Sequence, residues 1–85
     1  GHGKYIIVLD EKAGDDAANT LRDNIHKEGG SAESSIKIGS SYHAIPATLP
    51  DSMLQNFTAH PHIKYIEPDG EVSIQAQGIL AAQKK

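Results

Sequence analysis

Residues 63–75 read Ile-Lys-Tyr-Ile-Glu-Pro-Asp-Gly-Glu-Val-Ser-Ile-Gln. The stretch opens as a strand, with Ile63, Tyr65 and Glu67 on one face and Lys64 and Ile66 on the other. It then turns at Pro68-Asp69-Gly70. Glycine tolerates the positive φ a tight turn often needs, and an Asp side chain can hydrogen-bond backbone two residues on. A second extended run, Glu71 to Gln75, is expected next. The remainder, Ala76 to Lys85, reads as a flexible C-terminal tail. A strand needs neighbours, so the fold depends on what the upstream chain can pair with it.

The clearest partner is Lys4-Tyr5-Ile6-Ile7-Val8-Leu9. It is β-branched and aromatic, with apolar residues on both faces. That suits a central strand covered by helices on one side and partly exposed on the other. Residues 15–28 carry helical spacing, with Ala18, Leu21 and Ile25 as the buried stripe and Asp15 or Asp16 as the expected N-cap. Gly29-Gly30 stops this helix. Ser31 to Ile38 is a weaker strand with a poorly apolar face (Ala32, Ser34, Ile36, Ile38), expected at an edge. Ser41 to Leu49 is a third strand. Its Pro46 has no N–H to give a ladder, which places it at a bulge, an unpaired position or the strand's end. Pro50-Asp51 opens a second helix, capped by Asp51 or Ser52, with Met53, Leu54 and Phe57 inward. His60-Pro61 ends it.

The order β-α-β-β-α-β predicts an α+β domain of ferredoxin-like type. Its expected form is a four-stranded antiparallel sheet, strand order 4-1-3-2, with two helices on one face. At 85 residues the chain makes one domain. A chain of this size buries about 60% of its unfolded surface, so the core is small and the stability modest.

Composition excludes several classes of function. There is no cysteine, which removes disulfides, thiolate metal sites and redox chemistry. Net charge is −3 with mixed signs, and no Lys/Arg cluster suggests nucleic acid or a membrane surface. No apolar run approaches the roughly 20 residues of a membrane span, and no signal peptide is visible. Secreted, vacuolar and cytoplasmic settings all stay open. The five histidines, among them the His60/His62 pair, join no tight carboxylate cluster and form no HExxH, so no metal site is expected. No serine sits in a G-x-S-x-G elbow, and Gly29-Gly30 lacks the rest of a phosphate loop. Catalysis and a bound cofactor are therefore not expected.

Four pieces occur in a characteristic order: Lys4 to Leu9, Gly29-Gly30, Leu49-Pro50, and His60-Pro61-His62-Ile63-Lys64-Tyr65-Ile66-Glu67-Pro68-Asp69-Gly70. In these the chain resembles the propeptide-like inhibitors of subtilisin-type serine proteases. That family holds both N-terminal prodomains of subtilisins and free-standing inhibitors of the proteinase B inhibitor type. The resemblance covers residues 4–75, the expected inhibitor domain, and the family's fold is the one derived above.

The resemblance implies a subtilisin-like protease as partner and a monomer when free. It implies that the sheet packs on two surface helices of the protease, while the C-terminal segment enters the active-site cleft like a substrate. Aligned on the acidic turn, Val72, Ser73, Ile74 and Gln75 take positions P4, P3, P2 and P1, with Val72 in an apolar pocket. Glu67 and Asp69 match family carboxylates that cap protease helices, where anions are favoured. The chain departs from the family at Ala44-Ile45-Pro46, where Gly-Phe-small is frequent, and in continuing past Gln75. Two alternatives stand beside the inhibitor. One is a cleaved prodomain serving as intramolecular chaperone and temporary inhibitor of its own protease. The other is a small-molecule or metal-binding regulatory domain.

Overall fold

The structure is a computed structural model and describes residues 2–83. It is a mixed α/β domain built on one antiparallel sheet. Its elements run β1 (His2–Leu9), α1 (Asp15–Lys27), β2 (Ser31–Ala32), β3 (Ile36–Ile38), β4 (Tyr42–Pro50), α2 (Asp51–Thr58), β5 (Ile63–Pro68) and α3 (Ile74–Ala82). The sheet order is β2-β4-β1-β5, and β3 pairs with β4. Five strands and three helices thus stand where the sequence predicts four and two.

The extra strand has a cause at Pro46. The expected strand Ser31–Ile38 is interrupted: Ser31 and Ala32 pair with Thr48 and Ala47, and Ile36 to Ile38 pair with Ala44 to Tyr42. Between them the Glu33 N–H donates to the Pro46 carbonyl at 2.9 Å. In an antiparallel ladder a residue's N–H and C=O reach the same neighbour. Pro46 therefore presents its missing donor to this edge, and the partner strand breaks opposite it.

The pleat sorts side chains into two layers. The odd-numbered residues of β1 and β4 face the helices. Tyr5, Ile7 and Leu9 meet Ile45, Ala47 and Leu49, and the stripes Ala18/Leu21/Ile25 of α1 and Met53/Leu54/Phe57 of α2 close over them in one core. Gly30 lets α1 return close to the sheet, because a Cβ there would stand 2.6 Å from the Thr48 carbonyl oxygen.

Both helix starts differ from expectation. The N-cap of α1 is Gly14 and that of α2 is Pro50, neither with a side-chain cap bond. Asp15, Asp16 and Asp51 lie instead in the first turns, where their charge still favours the positive helix end. Asp15 also pairs with Lys37 of β3, which holds its carboxyl below the usual range through a hydrogen bond and charge.

The largest departure is C-terminal. The second extended run expected over Glu71 to Gln75 forms no strand: residues 69–73 are a bend and irregular chain, and Ile74–Ala82, expected as extended chain and flexible tail, is the helix α3. Ser73 starts it: its Oγ accepts the Ala76 N–H at 3.0 Å. Ala76 is then fully buried, and Ile79 and Leu80 pack against the core from one side. Helical burial of these three outweighs the extended preference of Val72-Ser73-Ile74. Lys84 and Lys85 of the expected tail lie outside the described residues. Among the described residues no helix is long and apolar enough to cross a membrane.

Candidate functional site

The sheet face opposite the helices carries an apolar cluster at one end, with Lys4, Thr48, Ser31 and Glu67 on the same face, and no described element covers it. Registers bring Val8 beside Ala44 and Tyr65, Ile36 beside Ala44, and Ile38 beside Tyr42. Val8 and Ala44 stand outside the helix-side core, yet are only 3% and 0% exposed. Around them Ile36 and Ile38 keep 43% and 64% of their surface in water. With Ile74 they are the large hydrophobic side chains most exposed among the described residues. Apolar residues on both faces of KYIIVL foretell a second, partly exposed face. Ile36 and Ile38, read as part of a weak edge, belong to it too.

One side of this face ends in the acidic turn. The Asp69 N–H donates to the Lys4 carbonyl at 2.8 Å, carrying the β1–β5 ladder one residue past β5. Gly70 turns the chain with φ of 109°, in the left-handed region. Glu67 pairs with Ile6 on the open face and accepts a hydrogen bond from the Tyr65 phenol. Loss of solvent and then the Glu67 charge push that phenol's pKa up. The Asp69 side chain is exposed at the turn. The two carboxylates singled out from sequence thus sit at one end of the open face, one of them oriented by Tyr65.

The four residues assigned to the cleft are brought together, but not in one extended line. Val72 is half-buried and packs against the core. Ser73 accepts from Ala76 and donates its hydroxyl to the Asp51 carboxylate of α2 at 3.0 Å. Ile74 is the first residue of α3 and 86% exposed. Gln75, in the same turn, lines a groove between α2 and α3 with Gln55, Thr58 and Ile79.

The sequence reading missed Gln83. Its side-chain amide closes both open groups of Ile66 on the outer edge of β5. Ile66 N–H donates to Gln83 Oε1 at 2.9 Å, and Gln83 Nε2 donates to the Ile66 carbonyl at 2.6 Å. The signal was present: Ala76, Ile79, Leu80 and Gln83 repeat at i, i+3, i+4, i+7 behind a Ser cap.

The histidine pair forms a local turn. The His62 N–H donates to His60 Nδ1 at 3.1 Å, and the rings lie 5.5 Å apart. Burial and then the neighbouring His62 hold the His60 pKa below its ordinary value. Among the described residues no three His, Asp or Glu side chains converge to hold a metal ion.

The domain thus has two layers, a sheet and the helices packed on one of its faces, with an acidic turn beside the other face. Residues 4–75 match the family model for peptidase inhibitor I9, and the chain belongs to that family. Its members are inhibitory propeptide domains of the subtilisin family that bind subtilisin-like proteases, and they are not catalysts. No curated protein matches the chain.

Proposed function

We propose that the protein inhibits subtilisin-like serine proteases by seating its open sheet face on the enzyme and laying Val72 to Gln75 in the active-site cleft. The observation that carries this reading is the open face itself: Val8 and Ala44 form a buried floor, with Ile36 and Ile38 exposed above it. A sheet normally packs on both faces or keeps one polar. This one leaves the cluster of Val8, Ala44, Ile36 and Ile38 uncovered beside Lys4, Thr48 and Glu67, which supports a partner surface. The sheet path β2-β4-β1-β5, with β3 continuing the β2 edge, is read as a ferredoxin-like sheet whose edge strand is interrupted opposite Pro46 of β4.

In the complex Glu67 and Asp69 meet helix N-termini of the enzyme, where unpaired N–H groups favour anions. Val72, as P4, fills the apolar S4 pocket, and Gln75 sits at the catalytic serine as P1. Inhibition then requires no reactive group, only a chain held by strand addition and turned over slowly.

Titration of a subtilisin with the full chain, followed by mass spectrometry, tests the reading. Stoichiometric inhibition, with the protein intact or cut solely at Gln75-Ala76, is the expected result. Activity unaffected at micromolar protein, or rapid cleavage elsewhere in residues 63–75, would sink it.

A further inference from the structure

Cleft binding needs Val72 to Gln75 extended, because an edge strand of the enzyme can pair only with free backbone groups. In the free chain that backbone is not free. Ile74 and Gln75 form the first turn of α3, and the carbonyls of a first helical turn already accept intrahelical bonds.

Three contacts hold the helix down. Ser73 Oγ accepts the Ala76 N–H and its hydroxyl donates to Asp51 Oδ2, both at 3.0 Å. Ala76 is fully buried, and Val72, Ile79 and Leu80 pack against the core. At the far end the Gln83 amide is bonded twice to the Ile66 backbone. Two of the four cleft residues, Val72 and Ser73, are themselves part of this clasp. The helix is nonetheless weak in its middle. Gly78 sits in it with open space where a Cβ would be, and glycine is the poorest ordinary helix former.

We infer that α3 is an autoinhibitory latch: it stows the cleft segment against α2 and the β5 edge, and it must unwind before the protease can be blocked. This rests on the inhibitor reading above. The chain then binds by way of a minor, unlatched population, and its association rate is scaled down by that fraction. Dissociation is untouched, because the latch is already open in the complex.

Gly78 allows a test in both directions without altering residues 63–75. Gly78→Ala adds a methyl into open space and strengthens the helix, lowering the unlatched fraction roughly two- to fivefold. Gly78→Pro breaks the helix and raises that fraction roughly tenfold or more, up to full opening. Stopped-flow association with a subtilisin whose catalytic serine is replaced by alanine should show the order Pro variant, parent, Ala variant, fastest to slowest, with equal dissociation rates. Hydrogen exchange at residues 77–82 of the free proteins should follow the same order.

Three binding proteins with equal association rates would overturn the latch and leave the inhibitor reading standing. So would a reversed order. Parent amides in 77–82 that exchange like unstructured chain would overturn the latch whatever the binding result. If none of the three proteins binds, the inhibitor reading falls and the latch loses its role with it.

Discussion

Replacing Ile36 and Ile38 together by threonine separates docking from stability. The two side chains expose 43% and 64% of their surface, in sum close to one whole isoleucine. Covering a full isoleucine is worth about 1.5–3 kcal/mol. Threonine keeps one methyl and the β-branched shape that suits β3, so about 1–2 kcal/mol of binding should be lost. That corresponds to a roughly 5- to 30-fold rise in Kd for the protease. Folding should hardly notice, because neither residue belongs to the helix-side core, and surface changes of this kind usually stay within ±0.5 kcal/mol. The assay is an inhibition titration paired with urea unfolding of the free protein. An unchanged Kd would refute docking through this face. An equal loss in both measurements would show that these side chains serve the fold instead.

Three other outcomes follow from the same geometry. Glu67→Ala with Asp69→Ala should weaken protease binding by about 1–3 kcal/mol, the range for helix-end charge and charged hydrogen bonds; identical inhibition constants would contradict the capping role. Tyr5→Phe should raise unfolding stability by about 1 kcal/mol, since the Tyr5 hydroxyl is buried without a hydrogen-bond partner and its removal ends a desolvation cost. Calorimetry showing a lower Tm would count against this. The folded protein holds the His60 pKa below the ordinary 6.5, so it binds fewer protons there than the unfolded chain. Stability should be constant above that value, fall as pH drops through it, and level off below the folded pKa; His60→Gln should remove this part of the slope in denaturant melts between pH 7.5 and 5.

Much of the fold was legible because its signals are local. The period-two run Tyr5-Ile7-Leu9 and the helical triplets Ala18/Leu21/Ile25 and Met53/Leu54/Phe57 identify their elements without knowledge of the rest. What escaped depended on partners distant in sequence. Pro46 is readable as a break in its own strand, but the strand it breaks is its neighbour, and that follows only from which edge its nitrogen faces. Gly78 and the absence of charged residues hid α3, whose support comes from α2 and from Ile66, seventeen residues from Gln83. In the candidate site the turn carboxylates were readable as a motif, and the face beside them from the apolar residues on both sides of the strand Lys4 to Leu9. The helical state of Ile74 and Gln75 was not, because β-branched Val72 and Ile74 favour extended backbone until burial of Ala76 decides otherwise.

The gap opposite Pro46 bears on solubility. A protein that leaves an apolar sheet face open invites its own copies to stack and its edges to recruit strands, the route to aggregates. Here one edge is cut into pieces of two and three residues, each too short to template a foreign strand. At Ile66 the other edge is occupied by the Gln83 side chain. With one rim broken and the other capped at Ile66, sideways growth into an oligomer or fibril is hindered while the open face stays available to a target.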